Sequence, residues 1–186
     1  MTLIPLVLLA LVVLVALAVV GIYNGLVKLN VQTDNAWSDI DVQLKRRTDL
    51  IPNVVETVKG YASHERQTLE AVVEARNRAV AVQGAGPVER GQAEGALTSA
   101  LRGLFALAEA YPQLRAAENF AQLQGTLSQI EEALQSARRY YNAVVRDLNT
   151  KVQQFPSNLV AGMFGFRNRE FFEIPETDRQ VPKVAF

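Results

Sequence analysis

The chain has 186 residues and no cysteine, so one domain can form beside an anchoring segment, while disulfide staples, thiolate nucleophiles and metal thiolates are excluded. Its 19 Lys and Arg balance 19 Asp and Glu, which removes the electrostatic footprint of phosphate binding, and nucleic acid is not an expected partner.

From Leu3 to Ile22 no charged or polar side chain occurs. A helix of about twenty such residues, at about 1.5 Å each, just crosses a hydrocarbon core of about 30 Å. Residues 1–22 are therefore expected to be a transmembrane anchor with the lipid bilayer as partner. Ala16-Leu17-Ala18 has the small-x-small form of a cleavage site, so an exported, soluble bundle is the alternative; against it, no Lys or Arg precedes the apolar run. Tyr23 stands where an interfacial aromatic would fix the end of the span. Lys28, and farther off Lys45, Arg46 and Arg47, lean the following domain toward the cytoplasm.

Beyond the span, Val27, Val31, Trp37, Ile40 and Leu44 mark one helical face, and Trp37, Leu44, Ile51 and Val58 fall at heptad spacing. Thr48 or Asp49 as a cap, with Pro52 in the first turn, predicts a corner there and a bundle of four helices. The alternative is one long helix kinked at Pro52, leaving three. The next helix reads through Val54, Val58, Tyr61, Leu69, Val72 and Val80 to the turn signal Gly84-Ala85-Gly86-Pro87.

A third helix is predicted from Val88 to about Tyr111 on Leu97, Leu101, Leu104, Phe105 and Ala108; Gly91, Gly95 and Gly103 each weaken it by about 1 kcal/mol relative to Ala. After Pro112, the stretch from Leu114 to Gln153 is the most regular: Phe120, Leu123, Leu127, Ile130, Leu134, Ala137, Tyr141, Val144 and Leu148 alternate steps of three and four. Past Phe155-Pro156, Ser157 can cap a short helix that Gly165 ends, and the last dozen residues read as extended or poorly ordered. The expected fold is all-α: an antiparallel up-and-down bundle over 23–155 behind the anchor, with a Phe-rich segment and tail over 156–186.

These blocks resemble the LemA family of bacterial membrane-associated proteins. The likeness is carried by the apolar span with Tyr23-Asn24 and Leu26-Val27, then AWSDIDVQLKRRTDLIPNVVETVKGYASHE from Ala36 to Glu65. Glu74-Ala75-Arg76, Tyr111-Pro112, ENFAQLQ, RRYYNAVVRDLN, FPSNLVAGMFGF and Phe171-Phe172-Glu173 follow in order. The resemblance implies a helical bundle displayed beside a bacterial cell membrane, without an established catalytic activity, and a membrane metallopeptidase as a partner to consider. The glycine-rich third helix departs from the family pattern.

Catalytic signatures are sparse. His64-Glu65 opens like a zinc-protease motif, but the second histidine would be residue 68, which is Thr68. With one His and no Cys, base-activated nucleophile pairs cannot be assembled, and no phosphate-cradling or nucleophile-elbow motif occurs. No enzyme activity, metal or cofactor is expected; an unrecognised carboxylate site using Asp39, Asp41 and Glu131 is the remaining catalytic alternative.

The expected role is protein interaction or scaffolding at the membrane, with homo-oligomerisation open. Candidate contact residues are the triplet Lys45, Arg46 and Arg47 and the cluster Phe164, Phe166, Phe171 and Phe172. Asp41, Arg47, Glu131, Arg138 and Asn142 lie beside the apolar seams and are candidates for buried polar contacts that set helix register.

Overall fold

A computed structural model describes residues 3–174, and every regular element among them is a helix. In chain order these are α1 (Leu3–Tyr61), α2 (Arg66–Ala81), α3 (Pro87–Ala108), α4 (Pro112–Arg115), α5 (Glu118–Gln153) and α6 (Ser157–Phe164). The tail expected to be extended lies outside the described residues.

The corner expected at Pro52 is not there. α1 continues through Pro52 and ends only at Tyr61, so the first turn of the bundle is made by residues 62–65. The reason is non-local. Proline has no N–H to give the carbonyl four residues back, that of Thr48, and the helix would normally lose there. Here Arg76 of α2 donates its Nε–H to the Thr48 carbonyl oxygen at 3.3 Å. Ile51 and Val54, 1% and 0% exposed, hold the flanking turns in the core.

The chain divides into two compact units, and α1 and α5 each contribute to both. The first contains α1 up to Ser38 and the stretch Arg139–Glu170. Its core joins Leu26, Leu148, Val160 and Ala161, with Val19, Ile22, Leu29, Val152 and Phe166 packed against them. Trp37 packs on Tyr141 at 5.3 Å between ring centroids, and the Tyr141 hydroxyl donates to the Glu170 carbonyl at 2.9 Å. Asn149 clasps the segment after α6: its side-chain oxygen accepts from the Arg169 backbone N–H at 2.8 Å, and its amide donates to the Arg169 carbonyl at 2.9 Å. The Arg169 guanidinium then reaches α1, donating to Asn30 and Asp34 at 3.0 Å each.

The second unit holds Asp39–Arg138 and the segment from Phe171. Its core takes Ile51, Val54 and Val58 from α1, Leu69 and Val72 from α2, Leu97, Leu101 and Leu104 from α3, Leu114 from α4 and Phe120 and Leu127 from α5. The heptad and three-four patterns thus describe real buried stripes, but Val31 and Tyr61, expected on the same faces, are 50% and 48% exposed. The turns are stitched together as well: the Tyr111 hydroxyl, after α3, donates to the Glu65 carboxylate, before α2, at 3.0 Å. That bond to an anion holds the Tyr111 proton and moves its pKa above the ordinary phenol range.

α6 ends where expected, at Gly165 with φ 76°. Its start differs. Pro156 takes the cap position and Ser157 is the first helical residue, whose hydroxyl turns back to the carbonyls of Lys151 and Gln154 at 2.6 and 2.8 Å. Ser157 therefore satisfies the open end of α5, which leaves four such carbonyls, and not the amides of its own helix.

Candidate functional site

Two regions have more chemistry than packing requires. The first is a polar ladder on α3. Arg90, Glu94 and Thr98 are spaced by four and therefore share one face. Arg90 and Glu94 are 3% and 2% exposed. Gly91 and Gly95 sit beside them, and both are buried; at Gly91 the missing Cβ lets another stretch of backbone come close. A Cβ on Gly91 would lie 2.0 Å from the Glu173 carbonyl oxygen, so only glycine admits the C-terminal segment, and Phe172 beside it is fully buried.

Arg47 of α1 enters this ladder at 3% exposure. One amino group donates to Glu94 at 3.1 Å; the other donates to the Thr98 hydroxyl at 2.8 Å and lies 3.3 Å from Glu131 of α5. The Thr98 hydroxyl passes its own proton to the Glu94 carbonyl at 2.9 Å. One turn away, Arg90 donates to Asp41 of α1 at 2.6 Å. Two guanidinium groups thus face three carboxylates across α1, α3 and α5. Burial pushes the Glu94 carboxyl above its ordinary value of 4.5, against the opposing pull of Arg47 and Arg90, while Glu131 adds to the rise.

Such an arrangement is suited to fixing register, because each charge meets a named partner at a single geometry. A cleft of about 470 Å³ opens next to it between α3 and α5, lined by Arg47, Thr98, Arg102, Phe105, Glu131 and Arg138. No group of three or more His, Asp or Glu that could hold a metal occurs among the described residues. His64 is exposed in the turn before α2.

The candidate residues therefore separate. Of the basic triplet, Arg47 turns inward, while Lys45 faces solvent 3.7 Å from Asp49 and Arg46 is exposed. Asp41, Arg47 and Glu131 meet in the network; Arg138 is half-buried on the cleft wall and Asn142 is half-buried in the other unit. Arg90, Glu94, Thr98 and Arg76 escaped sequence reasoning. The available signal was the spacing of Arg90, Glu94 and Thr98 with a glycine after each acidic or basic member.

The second region is apolar and lies in the first unit. Phe164 and Phe166 pack on Tyr23 with ring centroids 4.7 and 5.8 Å away. Yet Phe164 stays 54% exposed, beside Phe155, Leu159 and Met163 at 75%, 59% and 77%. In the other unit Phe172 is enclosed and Phe171 is 38% exposed. The apolar run of α1 is exposed from Leu3 through Ala18, and this helix is long and apolar enough to cross a membrane.

Sequence comparison with known proteins covers most of the chain. The profile of the LemA family matches residues 36–186. Protein LemA of Metamycoplasma hominis is 28% identical over 162 residues, covering 86% of this chain and 73% of the relative. Magnetosome protein MamQ 2 of Paramagnetospirillum magneticum is 24% identical over 175 residues, covering 81% of this chain and 64% of that protein. Magnetosome protein MamQ of Magnetospirillum gryphiswaldense is 23% identical over 184 residues, 86% of this chain and 68% of its own length. The chain thus spans a little under two thirds of the MamQ 2 relative. The matched stretch takes in the Arg47 network, the passage of α1 through Pro52 and the α6 segment, and the chain belongs to the LemA family.

Proposed function

We propose that the chain is a single-pass membrane protein whose helical bundle has a non-catalytic protein-interaction or scaffolding role at the bacterial membrane. The observation that carries this reading is the uncovered apolar run of α1, from Leu3 at 76% exposure to Leu17 at 64%. A surface of that extent is stable in lipid and costly in water. Retention of the span is supported by α1 running unbroken through Ala16-Leu17-Ala18 and by Val19 and Ile22 packing into the first unit's core. The absence of catalysis is supported by the pairing of Asp41 and Glu131 with arginines, which leaves little acid–base capacity in the network. Lys28, Lys45 and Arg46 favour the bundle on the cytoplasmic side.

Full-length protein should stay in the membrane fraction after alkaline carbonate extraction and show an intact mass that includes the amino-terminal residues. Release by carbonate, or a mass beginning near Val19, would refute the anchor. Crosslinking and mass spectrometry in native membranes should recover membrane-protein partners, a metallopeptidase being the first to look for; recovery of none at native abundance would count against the interaction role.

A further inference from the structure

We propose that α6 is a second membrane contact: it lies in the interface of the same bilayer that the first part of α1 crosses, with Phe155, Leu159, Met163 and Phe164 inserted among the lipids. The sequence of α6, SNLVAGMF, contains no charge. Its inward face is satisfied, since Val160 and Ala161 are 4% and 1% exposed in the core with Leu26. Its outward face is apolar apart from Asn158 in the first turn. Leu159 and Met163, one turn apart, form a ridge with Phe164 at one end and Phe155 in the preceding turn, and none of the four is less than 54% exposed. An amphipathic helix at a water-facing surface would place polar groups there.

The occupant of this face is fixed by its depth. Val160 and Ala161 of α6 share a core with Leu26, against which Val19, Ile22 and Leu29 also pack, and Phe164 lies on Tyr23, so this cluster brackets the end of the apolar run. At about 1.5 Å per residue, Val19 to Leu29 cover roughly 15 Å of helix axis, centred near the level where acyl chains give way to headgroups. With Leu3–Ile22 across a bilayer, α6 cannot be withdrawn from that boundary without unpacking its inner face. The cations are at a matching level. The Lys151 ammonium rests against Gly25, three residues past Ile22, and Lys28 is exposed one turn farther on. Both are placed for lipid phosphate, while the apolar ridge lies on the acyl side. Tyr23 is then part of an aromatic belt shared by two helices, with Phe164 and Phe166.

This inference rests on the anchor reading, and the test separates the two. The chain lacks cysteine, so single nitroxides can be attached without background at Leu159→Cys, Met163→Cys, Val13→Cys and Tyr140→Cys in the full chain. All four sites are at least 49% exposed, so the label disturbs little packing. In vesicles of phosphatidylcholine and phosphatidylglycerol, collision rates with oxygen and with a water-soluble nickel complex report depth. The expected oxygen-to-nickel ratio is highest at position 13, several-fold above the position 140 value at 159 and 163, and lowest at 140. Ratios at 159 and 163 equal to that at 140, with position 13 deep in lipid, overturn the α6 contact and leave the anchor standing. An aqueous ratio at position 13 overturns both. Dipolar broadening between labels at 163 that disappears on dilution with unlabelled chain shows a second copy on this face and overturns the lipid assignment.

Discussion

Arg76 is expected to hold α1 together across Pro52, and the claim can be measured as a coupling. Arg76→Ala removes the donor to the Thr48 carbonyl. A buried acceptor left unmade costs about 1–3 kcal/mol; the bond is long at 3.3 Å and Arg76 is half-buried, so a loss of about 1–2 kcal/mol is expected. Pro52→Ala supplies the missing N–H within the helix and should stabilise the chain by up to about 3 kcal/mol, the proline–alanine difference in a helix interior. In that background the carbonyl no longer needs Arg76, and Arg76→Ala should cost no more than about 0.5 kcal/mol. The expected coupling of about 1 kcal/mol exceeds the usual non-additivity of separate sites, about 0.3–0.5 kcal/mol. Equilibrium unfolding of the four full-length proteins in one mild detergent, followed by helical circular dichroism, gives the cycle. Equal losses on removing Arg76 in both backgrounds would refute the reasoning, because they would place its contribution elsewhere than at the orphaned carbonyl.

Other perturbations have equally definite outcomes. Arg47→Ala should destabilise by about 3–5 kcal/mol because it strands a buried carboxylate, whereas joint Arg47→Met and Glu94→Leu should fall within about 1 kcal/mol of the parent in the same unfolding assay. The raised Glu94 pKa means that above 4.5 the folded state keeps a proton the unfolded state has lost, until pH passes the folded value. Its contribution to stability is therefore full below 4.5 and is lost as pH rises through the folded value, so the Tm of the parent relative to Glu94→Gln should fall as pH rises above 4.5. Gly91→Ala should cost about 1–3 kcal/mol by driving the Glu173 backbone away, with faster amide exchange at Phe172. Gly103→Ala meets nothing within 4 Å and should instead gain about 1 kcal/mol.

Elements whose partners repeat along the chain were readable in advance. The α5 seam from Phe120 to Leu148 needed only its own three-four spacing, and the break at Gly84-Ala85-Gly86-Pro87 needed only local backbone chemistry. What was not readable depends on a residue far off in sequence. Pro52 looked like a corner because Arg76, 28 residues beyond Thr48, is invisible to a local cap argument. Arg47 could be placed beside a seam, yet its acceptor Glu94 was hidden in a helix whose glycines suggested looseness, although one of them, Gly91, in fact permits close approach. The four clustered phenylalanines went to different surroundings, Phe172 enclosed and Phe164 outward, since composition does not say which ring meets which neighbour. Ser157 kept its cap chemistry but applied it to the preceding helix.

The seating of Glu173 against Gly91 and of Phe172 in the interior has a consequence for how the chain is made. The second unit takes its closing piece from a segment far downstream of α3 in the chain. A chain cut before Phe172 would present an unfilled hole and a bare strip of helix, so α3 is fully packed only once that distant segment has been made.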